Sequence, residues 1–253
     1  EAGGFGPIVE PAHLLLSGRH PAVRDRLIGG FIPASGIGAA TAERLRDEGH
    51  RVIGVDRNAA DVVVDLGSPE GRLAAVEKIR AASGGTLDGV VSAAGLGPYD
   101  EAKAIARVNY FGAVAMLDDL QEMLANGEEP AAVAISSIGA VFIDLMVPEF
   151  IEACLSGDED EAQKAIEGRD GNSAYVNAKH ALALAVRRRA QEWGERGIRL
   201  NAVAPGSTET PMLDKLHAHP TMSEPVKALP IPMGRTAPAT ELASAIAFLL
   251  GPD

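Results

Sequence analysis

Short apolar runs recur along this chain, separated by longer stretches of helical periodicity. RVIGVD (51–56), DVVVD (61–65), DGVVSAAG (88–95), AAVAISS (131–137) and IRLNAVAPG (198–206) are nearly continuous in apolar residues rather than alternating. Continuous runs of that length belong to strands buried on both faces of a parallel sheet. Between them the spacing predicts helices near 37–49, 69–82, 101–126, 173–196 and 238–250. Strand–helix alternation implies right-handed crossovers. The expected fold is therefore α/β, a Rossmann-like doubly wound parallel sheet with helices on both faces.

Two regions break the rhythm. Residues 1–32 offer no convincing strand. LIGGFI carries two glycines among too few apolar residues, and the compact run HLLLSG (13–18) lies well upstream. The stretch 141–172, VFIDLMVPEFIEACLSGDEDEAQKAIEGRDGN, reads as an insert with two helical pieces. Pro148 can open the first, and Ser156 or Asp158 can cap the second, which starts with acidic residues.

Composition narrows the function classes. Hydrophobic residues make up 46% of the 253 and aromatics only 4%, so alanine and glycine dominate and close helix–sheet packing is expected. The formal charge of −12 argues against nucleic acid and anionic membranes as partners. The single cysteine, Cys154, leaves no internal disulfide or Cys-based zinc site and reads as a small buried hydrophobe; no metal is expected. No apolar run approaches the ~18 residues of a membrane span, and the first residues lack a basic segment followed by an apolar core, so a cytoplasmic protein is expected.

The candidate chemistry starts at ASGIGAATAERL. Gly36 and Gly38 bracket Ile37 and open a helix. Glycines there let backbone approach a pyrophosphate, and the helix N-terminus offers N–H groups to it. Asp56 stands 20 residues after Gly36, at the end of VIGVD. An acidic group in that place accepts both hydrogen bonds of an adenosine ribose diol and repels a 2′-phosphate. The neighbouring Arg57 could hold such a phosphate, so NADP stays open as the lesser option beside NAD. Tyr175 and Lys179 of YVNAK are one helical turn apart on one face. An ammonium beside the phenol would lower its pKa and suit it to pass a proton near neutral pH. Taken alone, Tyr-x-x-x-Lys is equally a packing pattern. Upstream, however, AISS ends a buried strand, where ligands sit in such sheets. Only one of Ser136 and Ser137 can face the site, because adjacent strand residues point to opposite faces.

In order, SGIG, Asp56, VVDL, SAAG, VNYFGA, AISS, YVNAK and IRLNAVAPGSTETPM resemble the short-chain dehydrogenases/reductases. More narrowly, AAGLGP, VNYFGA, WGERGIRLNAVAPGSTETPML and the long insert are similar to the bacterial 3α-hydroxysteroid dehydrogenase/carbonyl reductase subgroup, to which coniferyl-alcohol dehydrogenases are close. The resemblance spans about Ser35 to Pro252. It implies Tyr175 as acid/base, Lys179 lowering its pKa and binding the nicotinamide ribose, Ser137 orienting the substrate oxygen, and Asn109 holding a water that links Lys179 to solvent. It implies a cofactor site of Ser35, Gly36, Ile37, Gly38, Asp56, Asp65, Leu66, Ala93, Ala94, Gly95, Tyr175, Lys179, Pro205, Gly206, Thr208 and Thr210. Ala93 stands where the family often has Asn.

The family's turn is Thr-Gly, three residues, Gly-x-Gly. Counting back from Gly38, Phe31 and Ile32 take the Thr-Gly places. At the other end the family's last strand has no counterpart after FLLGPD. The domain reading is accordingly an atypical segment 1–32 and a Rossmann-type dehydrogenase domain 33–253 with the insert 141–172. Three explanations stay open: a shifted or incomplete reading frame, HLLLSG supplying the strand with 19–33 as an insertion, or a divergent non-catalytic relative. On the enzyme reading, NAD-dependent oxidation of a secondary or aromatic alcohol, or the reverse carbonyl reduction, is expected. The alternative is a cofactor-impaired binding module in which the defective turn weakens NAD binding. VFIDLMVPEF and PMLDKL are expected at the substrate mouth, and a bulky apolar alcohol or ketone as substrate. The insert should form a helical hairpin over the Tyr175 helix, favouring a homodimer.

Overall fold

In the computed structural model, residues 25–30, 32, 35–58 and 60–252 are described. The strands are β1 (Leu27–Gly29), β2 (Arg51–Val52), β3 (Val55–Asp56), β4 (Val62–Val63), β5 (Gly89–Ser92), β6 (Ala131–Ile135), β7 (Arg199–Val203), β8 (Thr208–Glu209) and β9 (Ala237–Pro238). The α-helices are α1 (Gly36–Asp47), α2 (Pro69–Ser83), α3 (Ala102–Ala106), α4 (Ala113–Ala125), α5 (Pro148–Ser156), α6 (Glu159–Ala165), α7 (Gly171–Glu195), α8 (Pro211–Ala218), α9 (Ser223–Lys227) and α10 (Ala239–Leu250).

Five strands form the parallel sheet, in the order β2-β1-β5-β6-β7. β3 pairs in parallel with β4 two residues beyond β2. The chain runs outward from β1 to β2 and then returns to the other side of β1 with β5. That reversal opens a crevice at the carboxyl ends of the strands, where such sheets bind ligands.

Each inner strand feeds two cores. Val90, Ala132 and Ala134 point to one face, packing with Met116, Leu117, Leu120, Leu182 and Trp193 of α4 and α7. Val91, Ala131, Val133 and Ile135 point to the other, packing with Leu45 of α1 and Ile246 and Leu250 of α10. This accounts for the continuous apolar runs: both side-chain directions of these strands are buried. The carbonyls closing α10 accept from Arg26 (Leu250) and Arg199 (Leu249, 2.8 Å), cations placed where the helix dipole favours them. Among the described residues, no strand follows α10 and no helix is long and apolar enough to cross a membrane.

The structure corrects the reading of the N-terminal region. The first strand exists, as β1, in mid-sheet between β2 and β5. It was not recognisable because only Leu27, Ile28 and Gly29 pair, and the interior position of Ile28, fully buried, replaces the length of run that a longer strand would show. HLLLSG lies outside the described residues. The tight turn is also present, but displaced. Gly30, not residue 32, carries the positive φ of 115°. A Cβ on Gly30 would lie 2.8 Å from the Val91 carbonyl oxygen. Ile32 donates its N–H to the Gly30 carbonyl at 2.8 Å and buries its side chain in the second core. Counting back from Gly38 therefore missed the glycine by two positions, because the connection to α1 is longer than the family pattern.

The 101–126 helix is continuous but contains a π-helical stretch, Arg107–Gly112, between α3 and α4. In the insert, α5 starts at Pro148 and ends at Gly157 in the left-handed region, and Asp158 caps α6 by accepting from the Glu161 N–H at 2.9 Å. Ser156 instead bonds back to the Ala153 carbonyl. Phe150, Cys154 and Ile166 are buried under the hairpin, which packs on α7. Burial pushes the Cys154 thiol up, so it stays protonated and inert.

Gly30→Ala should destabilise the protein by about 2–5 kcal/mol, the sum of backbone strain and the Val91 clash. Urea unfolding measures this; an unchanged midpoint would remove Gly30 from the turn.

Candidate active site

A cavity of about 500 Å³ lies at the carboxyl ends of β1, β5, β6 and β7, over the crevice between β1 and β5. Except for Asn109, every residue that the sequence singled out for the site lines it.

One end is built by the start of α1 and the ends of β3 and β4. Ser35 occupies the N-cap in extended conformation without making a side-chain cap, and the first turn of α1 has no acidic residue. With Gly36, Ile37 and Gly38 it presents backbone N–H groups and a positive dipole end to the cavity. Gly36 has φ 60°, and a Cβ there would meet the Thr210 methyl at 3.3 Å. Asp56 lies in the wall, one oxygen accepting from the Asn58 N–H at 2.8 Å, with Arg57 beside it. Asp65 accepts from the Gly67 N–H at 2.9 Å, and Leu66 is buried behind it. An uncapped helix start, glycines whose Cβ positions are filled and a carboxylate at the second strand end together fit a dinucleotide.

The middle is made of close-approach residues. Ala93 and Ala94 follow β5. A Cβ on Gly95 would lie 3.3 Å from Asn109 Oδ1 and 3.6 Å from Lys179 Nζ, so the glycine permits both to come near. Asn109 does not line the cavity. Its carboxamide is spent on Leu96, accepting from the backbone N–H at 2.7 Å and donating to the carbonyl at 3.0 Å. Thr208 and Thr210 are likewise committed locally, to the Gly206 and Thr208 carbonyls, and shape the loop after Pro205 and Gly206.

At the far end α7 is pinned to β6. Lys179, buried, donates to the Ile135 carbonyl at 2.7 Å. Ser136 donates to the Lys179 carbonyl at 2.8 Å and is thereby the backbone-bonding serine. Ser137 faces the cavity, and its hydroxyl lies within hydrogen-bonding reach of the Tyr175 phenol. Gly139 donates its N–H to the Ser137 hydroxyl oxygen at 3.1 Å, and a Cβ there would lie 3.3 Å from the Val176 side chain.

The electrostatics differ from the sequence expectation. Burial pushes the Tyr175 phenol up, with the Ser137 hydrogen bond opposing, and no lowering by Lys179 balances it. Burial also lowers the Lys179 ammonium to about 8. Desolvation disfavours both charged forms, and this outweighs the helical-turn proximity from which the sequence argued.

Beyond Tyr175 the wall is apolar, with Ile138, Phe142, Met212, Leu216, Val226 and Leu229. Of the two stretches expected at the mouth, PMLDKL lines the cavity, whereas VFIDLMVPEF contributes Phe142 and sends Val147 and Phe150 into the core. The sequence reading missed Tyr99, which meets Lys215 of PMLDKL. The Tyr99 phenol is pushed up by burial, with Asp100 and Tyr175 adding to it, and the Lys215 ammonium sits 5.6 Å from its ring centroid. The available signal was the position of Tyr99 in GPYD, in the loop just past a strand end.

Comparisons with known proteins agree with this architecture. Residues 160–253 match the family described as Enoyl-(Acyl carrier protein) reductase. The chain is 41% identical to a 3-alpha-hydroxysteroid dehydrogenase/carbonyl reductase of Comamonas testosteroni over 87% of each chain. It is 33% identical to a coniferyl-alcohol dehydrogenase of Pseudomonas sp. (strain HR199 / DSM 7063), covering 85% of this chain and 86% of that one. The crystal structure of a 3-alpha-hydroxysteroid dehydrogenase from Pseudomonas sp. B-0831 complexed with NADH superposes with a TM-score of 0.87 at 43% identity, covering 89% of this chain and 90% of that one. With its parallel sheet, its helix start at the crevice and a serine, a tyrosine and a lysine gathered at the strand ends, the chain belongs to the short-chain dehydrogenase/reductase family.

Proposed function

We propose that the chain is an NAD-dependent oxidoreductase that interconverts a bulky apolar secondary or aromatic alcohol, hydroxysteroid-like or coniferyl-alcohol-like, and its carbonyl compound. The observation that carries this reading is the gathering of Ser137, Tyr175 and Lys179 at one end of a cavity whose other end is the start of α1 and Asp56. NAD, when bound, supplies or takes up the hydride. Ser137 holds the substrate oxygen by a hydrogen bond. Tyr175 gives its proton to that oxygen in reduction and receives it in oxidation. Lys179, anchored on Ile135, favours the phenolate while it is charged. Asp65 and Leu66 flank the adenine, and the loop from Pro205 to Thr210 meets the nicotinamide and phosphates. Asn109 supports this end through the Leu96 backbone, leaving its backbone rather than its carboxamide to hold any linking water. The alternative of a cofactor-impaired binding module rested on a missing turn and strand; Gly30 and β1 supply both.

The test is a dehydrogenase assay with NAD and a panel of hydroxysteroids and aryl alcohols. Turnover of at least one class is expected; NADH binding with no turnover of any would favour the binding-module reading. The insert covers a face of α7, and we propose a homodimer formed by another surface. Light scattering coupled to size exclusion should give the dimer mass.

Tyr175→Phe should cost roughly 10²–10⁴-fold in kcat, because the proton path is removed. Near-normal turnover would remove Tyr175 from the chemistry.

Asp56 should make NAD preferred over NADP in kcat/KM, since a carboxylate beside a 2′-phosphate costs on the order of 1–3 kcal/mol. Asp56→Ala should shrink that ratio; an NADP preference in the unaltered protein would overturn the assignment.

The pH dependence follows from Tyr175 being pushed up. The proton-accepting form is scarce at neutral pH, so alcohol oxidation should accelerate with rising pH and carbonyl reduction should be favoured at lower pH. A pH-independent oxidation rate from pH 6 to 10 would contradict this. Lys179→Met removes the bond that anchors this part of α7 on the Ile135 carbonyl and should slow turnover.

A further inference from the structure

The insert ends on a buried arginine. Arg72 of α2 is 8% exposed, and its guanidinium joins four segments of the chain. Nε donates to the Leu66 carbonyl at 2.9 Å and Nη2 to the Arg107 carbonyl at 3.3 Å. Nη1 and Nη2 meet the two carboxylate oxygens of Glu159 at 2.7 and 3.0 Å. The guanidinium also lies 6.0 Å from the centroid of the Phe111 ring. Glu159 is the first residue of α6, in the insert, where the helix dipole favours a carboxylate.

The two carbonyls are not incidental partners. Leu66 lines the cavity beside Asp65, and Val108, the residue after Arg107, lines it too. Leu66 belongs to the end of the cavity that also holds Asp56, and Val108 packs beside it, a Cβ on Gly67 lying 3.6 Å from its side chain. The π-helical stretch and the Leu66 loop are in close contact, for a Cβ on Gly112 would lie 3.2 Å from the Leu66 carbonyl oxygen. One planar, forked cation thus sets the spacing of the two walls, and a lysine ammonium, a point charge on a flexible stem, could not reproduce that geometry. The cation is tolerable at this depth because Glu159 compensates it; without the carboxylate, a buried charge would be left unpaired.

We infer that Arg72 and Glu159 are positioning residues for the adenine end of the cofactor site, and that the insert, through Glu159, acts there rather than on the substrate. This rests on the dinucleotide reading above. With Glu159 removed, Arg72 turns toward water, the Leu66 and Arg107 carbonyls lose their common donor, and the adenine walls relax, while the Ser137–Tyr175–Lys179 end keeps its own anchors on β6.

The test uses Glu159→Ala and Arg72→Lys in the full chain, with ADP-ribose and NADH binding by calorimetry beside steady-state kinetics. The Kd of both ligands should rise about tenfold or more, as a small misplacement of a binding wall can cost. At saturating NAD, kcat and the alcohol KM should change less than twofold. An apolar pair, Arg72→Met with Glu159→Leu, guards against mere unfolding: it should recover Tm yet not ADP-ribose affinity, because the carbonyls still lack a donor. Unchanged ADP-ribose affinity in folded Glu159→Ala would overturn the inference and leave the cofactor reading intact. So would recovery of affinity together with Tm in the apolar pair. Failure of the unaltered protein to bind either ligand would overturn the cofactor reading, and the inference with it.

Discussion

The cleft depends on how α7 is fixed to the end of β6. The tie runs both ways: Lys179 gives a hydrogen bond to the Ile135 carbonyl, and Ser136 gives one to the Lys179 carbonyl. Both donors are buried side chains, so neither bond can be lost without a cost of about 1–3 kcal/mol per orphaned group. Ser136 is fixed on the helix backbone, and its neighbour Ser137 lines the cavity with Tyr175. The same burial that holds Lys179 lowers its pKa to about 8 and pushes the tyrosine up. Geometry and proton affinity are therefore two results of one packing arrangement.

Close approach is the second constraint, and small residues meet it. Gly95 brings Asn109 next to the loop after β5, Gly139 lies close against Val176 of α7, and Gly30 turns the chain against the Val91 backbone. With 4% aromatic residues in the whole chain, the helices pack close on the sheet, and Trp193, Tyr110 and Phe150 are buried in the core while Tyr99, Phe142 and Tyr175 line the cavity.

The two ends of that cavity are held by different means. At the Tyr175 end, hydrogen bonds between a strand and a helix suffice. At the Asp56 end, Arg72 also ties the Leu66 loop to the π-helical stretch, with its charge balanced from the insert. An addition to the fold has in this way become part of its internal bracing.

The sequence by itself determined the doubly wound parallel sheet, because strands buried on both faces must read as unbroken apolar runs. It also located Ser137, Tyr175, Lys179, the start of α1 and Asp56, since their spacing is local and their chemistry is distinctive. What it left undecided depends on contacts between distant segments. β1 shows only three residues of pattern and is a strand because β2 and β5 pair with it. The turning glycine lies two places from where a fixed spacing puts it, and only the backbone angle identifies Gly30. The direction of the Tyr175 shift follows from desolvation by the surrounding walls, which no i, i+4 spacing encodes. Arg72 reads in sequence as one more charge on an amphipathic helix. It is the tertiary structure that buries it among Leu66, Arg107 and Glu159, because a buried guanidinium must find all its partners, and these lie up to 87 positions away.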